Sequence, residues 1–149
     1  MNTWCFPVLV AAVCCFGCSG NARLSGTVTF SDDGSPVPVG TVCFENSTGY
    51  ARGKLDQNGR YTLGFKKPGD GIPRGVYGVC VTGAQKPVGM SDDPGSVPGS
   101  KGGVMMYEEL VATKFQASST SGITCTVDGS MNTFDFKVER RQNSAQTQR

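Results

Sequence analysis

The sequence predicts an all-β domain: a seven-stranded, antiparallel-dominated Greek-key β-sandwich carrying one long Gly/Pro/Ser loop. Apolar side chains recur at every second position in short segments between Leu24 and Glu139, which is the period of a half-buried strand. Gly, Pro, Asn and Asp punctuate those segments at regular spacing, and the helical period is almost absent.

Leu24 to Phe30 is the first strand, with Leu24, Gly26, Val28 and Phe30 on one face and Ser25, Thr27 and Thr29 on the other. Ser31 to Pro36 is a turn, in which Gly34 and Pro36 supply the backbone angles. Gly40 to Asn46 follows, with Val42 and Phe44 inward and Thr41, Cys43 and Glu45 outward. Tyr50 to Leu55 and Arg60 to Phe65 flank Asp56-Gln-Asn-Gly59, a hairpin signal because Asn and Gly both tolerate positive φ. A turn-rich connection, Lys67 to Gly75, leads into Val76 to Thr82, where Tyr77, Val79 and Val81 share a face.

Lys86 to Gly103 differs in kind, being rich in Gly, Pro, Ser and Asp, and it carries no strand or helix signal. A loop of that length is either functional or an insertion. Val104 to Val111 permits a short helix or an extended segment. Ile123 to Val127 points Ile123, Cys125 and Val127 inward, Asp128-Gly129 turns the chain, and Thr133 to Glu139 alternates Phe134, Phe136 and Val138 with polar residues. Arg140 to Arg149 is expected to be a disordered polar tail.

Residues before the sandwich predict export. The first charged side chain is Arg23, and Trp4 to Gly17 are apolar or small apart from the break at Pro7, a stretch shorter than the roughly 20 apolar residues of a membrane helix. Phe16-Gly-Cys18-Ser-Gly20 resembles the lipobox of bacterial lipoproteins. That resemblance implies a signal peptide over residues 1–17, lipidation at Cys18, a tether over 18–23 and, with Ser19 rather than Asp behind the anchor, an outer-membrane location facing periplasm or surface. Ordinary cleavage after Ala22 is a competing reading, since Gly20-Asn21-Ala22 has small residues where a signal peptidase needs them. Either cut leaves one domain of about 130 residues, enough to bury roughly two thirds of its unfolded surface. Cys43, Cys80 and Cys125 then remain, an odd number that suggests one disulfide and one buried thiol. The net charge of +2 is spread without a basic stripe, which argues against nucleic acid as a partner.

Four segments together resemble the carboxypeptidase regulatory-like domain, a relative of the transthyretin-like (prealbumin-like) sandwich: Ser25-Gly-Thr-Val-Thr29, Pro38-Val-Gly-Thr-Val-Cys-Phe44, Asp56-Gln-Asn-Gly-Arg-Tyr-Thr-Leu63 and Gly75-Val-Tyr-Gly-Val-Cys-Val81. The ending, with Lys114-Phe115, Thr120-Ser-Gly-Ile-Thr124 and Asn132-Thr-Phe-Asp-Phe136, is similar to the close of small single-domain bacterial lipoproteins. The resemblance places this domain over residues 24–139 and makes the second and fifth strands antiparallel neighbours, so that Cys43 and Cys80 could form a disulfide. Two unrelated small residues on a polar face are the alternative.

Chemistry is conspicuous by what is missing. The chain has no histidine, which excludes Ser-His-Asp and Cys-His catalysis, His-containing zinc sites, and the His and Arg cluster of the enzymatic branch that transthyretin-like folds resemble. Asp32-Asp33, Asp92-Asp93 and Glu108-Glu109 are sequence neighbours and do not oppose each other as an acid and base must. Asp56 to Gly59 lacks the later ligands of a calcium loop. No cofactor and no metal is expected. The reading is a non-enzymatic, lipid-anchored envelope module that binds or supports another envelope protein, with Lys86 to Gly103 as contact surface. The alternative is a small-ligand or glycan module, in which Tyr50, Tyr107, Asp92 and Asp93 are the candidate binding groups.

Overall fold

A computed structural model describes residues 20–67, 69–92, 103–129 and 133–142. The signal segment, Cys18 and Asp93 lie outside the described residues. Among the described residues there are nine strands, in three sheets. β1 (Ser25–Phe30), β4 (Arg60–Thr62) and β9 (Phe136–Val138) form one sheet in the order β4-β1-β9. β2 (Thr41–Asn46), β3 (Gly49–Lys54), β5 (Gly75–Thr82) and β8 (Ile123–Val127) form a second in the order β3-β2-β5-β8. β6 (Gln85–Asp92) and β7 (Gly103–Glu109) pair only with each other. Pairing is antiparallel throughout except between β1 and β9.

The period-two faces become the core as expected. Val28 and Phe30 of β1, Val42 and Phe44 of β2, Tyr77, Val79 and Val81 of β5, and Cys125 and Val127 of β8 are all buried. Phe44 sits where the two inner faces meet, its ring centre 6.3 Å from Tyr61, 6.2 Å from Tyr77 and 5.9 Å from Phe134. Edge-on and tilted rings at these separations add attraction beyond the area they bury. This is an all-β sandwich with one aromatic centre.

Two expectations are corrected. The segment Lys86 to Gly103, read as a structureless loop, supplies most of β6 and the first residue of β7, and Val104 to Val111 takes the extended form of the two it permits, so the strand count rises beyond seven. Asp56 to Gly59 is a turn, but the expected hairpin is kept only at one antiparallel bridge, Arg52 with Gly64: Arg60 and Tyr61 pair instead with Thr27 and Gly26 of β1, so that β4 belongs to the other sheet. Only Gly59 has positive φ, and the Asp56 carboxylate accepts the amides of Asn58 (2.8 Å) and Arg60 (2.9 Å) to hold the corner. The amide of Val28 donates to the Gly59 carbonyl at 2.8 Å, and a Cβ at Gly59 would lie 2.5 Å from the Val28 carbonyl oxygen. Glycine is needed there for closeness as well as for φ.

Domain limits also move outward. Ala22, expected in the tether, is buried and exchanges backbone hydrogen bonds of 2.8 Å in both directions with Ile72. Arg140, expected in the tail, stacks 3.8 Å over the Phe30 ring and donates at 2.8 Å to both Asp32 and Asp33, while the Arg141 amide donates to the Leu110 carbonyl. Residues 143–149 lie outside the described residues.

Candidate functional site: an apolar ribbon beside a capped sheet

β6 and β7 project as a two-stranded ribbon whose contacts are chiefly with each other, and none of their described side chains joins the core. Its root is fixed. Leu110 donates its amide to the Ala84 carbonyl at 2.8 Å, Lys86 pairs with Glu108 at 2.8 Å, and the Gln85 and Gln116 amides both donate to the Glu109 carboxylate. Beyond the root the surface turns apolar. Register places Pro87 opposite Tyr107 and Met90 opposite Met105 on one face, with Val104 and Met106 on the other. Met90 is 69% exposed and Tyr107 58%, and Val88, Val104, Met105 and Met106 are exposed as well. Two strands alone are marginal in water, and among the described residues nothing covers this apolar ribbon as a third strand or a packed helix would.

Of the segment Lys86 to Gly103 expected as contact surface, residues 86–92 and Gly103 fall in the ribbon and residues 93–102 lie outside the described residues; Tyr107 stands on β7, and Asp92 ends β6. Missed were Met90, Met105 and Met106. A sign was present, because Val104-Met-Met-Tyr107 is four consecutive apolar residues, and an extended chain must then expose half of them unless both faces are covered.

Cys43 and Cys80 stand directly opposite each other on adjacent antiparallel strands. Both carry free thiols, so of the two readings left open by the sequence the bridge is not the one formed in this structure. The Cys43 sulfur faces the Thr82 hydroxyl at 3.7 Å and the Thr41 carbonyl at 3.9 Å. A hydrogen bond from the Cys80 thiol holds the Cys43 thiol below its ordinary pKa, and as the donor Cys80 is pushed up. Both point away from the core and both are buried, because a 3-10 turn (Thr113–Gln116) and a short helix α1 (Ser118–Ser121) lie across the outer face of the sheet. Ser118 donates to the Glu45 carboxylate at 2.6 Å, and a Cβ on Gly78 would come within 3.1 Å of the Ser118 Cβ. The small residue at Gly78 lets this cap settle onto β5.

Tyr50 is exposed on β3, with the Arg52 guanidinium 4.5 Å from its ring centre. It lines a shallow cleft of about 280 Å³ with Arg52, Gly64, Phe65, Lys66 and Lys67. Asp70 shapes the loop beneath by accepting the amides of Phe65, Lys66 and Lys67 at 2.7 to 3.0 Å. Tyr50 and Tyr107 thus belong to separate sheets and do not build one platform. Among the described residues no three acidic or thiol groups gather as a metal site would require.

No protein-family model matches the chain, and no curated protein matches it. Among solved structures it is similar to a variant of BcpA, the major pilin subunit of Bacillus cereus, at 13% identity and a TM-score of 0.44, covering 83% of this chain and 30% of that one. It is also similar to a 9R-lipoxygenase from Cyanothece PCC8801, at 18% identity and a TM-score of 0.33, covering 78% of this chain and 16% of that one. The chain therefore spans under a third of the length of either protein.

Proposed function

We propose that this chain is a non-enzymatic, lipid-anchored β-sandwich of the bacterial cell envelope that presents the β6–β7 ribbon to another envelope protein. The observation that carries the reading is the ribbon itself: exposed Val, Met and Tyr on a hairpin rooted in the sandwich but outside its core. Contiguous exposed apolar surface on an otherwise well-packed domain marks an interaction site. Methionine suits such a surface, since its flexible thioether fits irregular partners. Ala22 supports anchoring at Cys18 over cleavage after Ala22, because the latter cut would delete a buried residue and both of its hydrogen bonds to Ile72. The carboxypeptidase regulatory-like resemblance is part of the same reading and rests on the sequence motifs quoted above.

Site-specific photo-crosslinking in intact cells tests it. A benzophenone side chain at Tyr107 should capture a discrete adduct, whereas one at Lys54, on β3 of the sandwich, should not. Equal or absent capture at the two positions would sink the interaction role.

The small-ligand alternative has one observation in its favour, the cleft where Tyr50 and Phe65 meet the cations Arg52, Lys66 and Lys67. That lining favours an anionic sugar or other organic anion. A thermal-shift panel of anionic glycans and metabolites should then show a stabilised hit that Arg52→Ala abolishes, and a blank panel removes this reading.

A further inference from the structure

We infer that the partner at the ribbon is a second copy of this chain, joined β7 to β7 in antiparallel register centred on Met105, so that the two ribbons form one four-stranded sheet. This rests on the interaction reading above and names its partner.

The two outer edges of the ribbon are not equivalent. β6 carries Pro87, which has no N–H to offer, and its register breaks between Pro87 and Gly89. Proline and irregular register are the devices that keep a strand edge from being extended. β7 has neither. From Val104 to Glu109 it is regular, without Pro, Gly or Lys, and among the described residues only β6 is hydrogen-bonded to it. An open edge flanked by exposed apolar side chains accepts another strand.

Symmetry restricts how a copy can fit. Two identical antiparallel neighbours are related by a two-fold axis normal to the sheet, and residues that pair must lie on the same face. Within the apolar run the axis can therefore pass beside Val104, Met105, Met106 or Tyr107. Centring on Met106 sets Val104 against Glu108, centring on Tyr107 sets Met106 against Glu108 and Met105 against Glu109, and centring on Val104 leaves Tyr107 without a described partner. Centring on Met105 pairs Met105 with its own counterpart, Val104 with Met106, and Tyr107 with Gly103, where the ring can cover the backbone that glycine leaves bare. It also sends the two copies of Glu108 to opposite ends, six residues or about 20 Å apart along the strand, beyond the screening length of about 8 Å at physiological salt. The joined sheet then has a continuous face made by Pro87, Met90, Met105 and Tyr107 from each copy.

Charge speaks against a lipid surface as the occupant. The ribbon strands hold one cation, Lys86, against the carboxylates of Asp92, Glu108 and Glu109. An anionic headgroup layer repels that balance, whereas the self-pairing moves the acidic residues to its periphery.

Cysteine scanning of the full chain provides the test, and because these side chains are exposed and outside the core, the substitutions leave the sandwich intact. Under mild oxidation Met105→Cys should give a disulfide-linked species of twice the chain mass, absent from the unsubstituted chain. Met106→Cys alone should not, but Val104→Cys and Met106→Cys chains expressed together should cross-link. A monomeric Met105→Cys chain overturns the inference, as do dimers of equal yield at all three positions. Photo-crosslinking at Tyr107 separates this failure from that of the broader reading: a heterologous adduct without a self-adduct overturns self-pairing but keeps the protein-binding arm, and no adduct overturns both. Sedimentation of the chain with phosphatidylglycerol-containing vesicles, lost in Met105→Asp, would likewise overturn self-pairing by making lipid the occupant.

Discussion

At Gly26 a side chain has nowhere to go: a Cβ would overlap the Phe134 carbonyl oxygen and lie 2.9 Å from the Tyr61 hydroxyl oxygen. That hydroxyl donates to the same carbonyl at 2.6 Å, and burial pushes the Tyr61 phenol well above its ordinary pKa. Three residues distant in sequence thus share one point between β1, β4 and the approach to β9. Gly26→Ala should cost about 3 kcal/mol by forcing that point apart, and Tyr61→Phe about 1 to 2 kcal/mol by leaving the carbonyl unpaired; urea denaturation measures both. Cys43 and Cys80 offer a different residue-scale expectation. Directly opposed strand residues stand about 4.5 to 5.5 Å apart at Cα, within the span of a disulfide. A disulfide oxidant should therefore take one hydrogen from each thiol and close the bridge, lowering the intact mass by about 2 Da and raising stability by about 3 to 4 kcal/mol. If both thiols stay alkylatable after denaturation of the oxidised protein, the cross-strand link does not form.

Elements show where sequence patterns inform and where they stop. Strand faces were legible because one side of each sandwich strand is buried, so apolar and polar residues alternate along β1, β5 and β8. The ribbon was not, because neither of its faces enters the core and its strands have nothing to alternate against. Gly, Pro, Ser and Asp around Lys86 to Gly103 spoke of turns, and that composition masked Met90 paired with Met105. The corner at Asp56 to Gly59 was legible as a turn, but which strand would take Arg60 as neighbour depends on long-range pairing with Thr27 that no local motif encodes. Burial of the outward-facing cysteines was hidden for the same reason, since it comes from Ser118 and its neighbours many residues away. Because the ribbon contributes nothing to the core, Met105→Asp should leave global stability within about 0.5 kcal/mol of the parent. The ribbon amides should also exchange hydrogen faster than those of β2 or β5, and ribbon protection equal to the core's would contradict its independence.

For the whole molecule, acid should weaken the clasp between the turn after β1 and the chain beyond β9. The Ser35 hydroxyl and amide, with Arg140 behind them, hold the Asp33 carboxyl down to about 2 from 3.8. A depressed folded-state pKa gives stability that is fully present above the unfolded value and is lost as pH falls through the folded one. Asp33→Asn should remove that contribution at neutral pH, leaving the chain less stable there, and so flatten the acid unfolding profile between about pH 4 and about pH 2. An unaltered profile would mean the clasp does not contribute. Asp70 belongs to the same acid range: desolvation works to raise its pKa, and the amides of Lys67, Phe65 and Lys66 together outweigh it and hold the carboxyl low. Ala22 has a consequence of another sort. Any pull exerted through the residues before it enters the sandwich at the two Ala22–Ile72 hydrogen bonds, ahead of the β1 ladder. Under load that short pairing gives way first, releasing a residue or two at about 3.3 to 3.6 Å each while both sheets stay closed, so the domain carries its own mechanical slack ahead of β1.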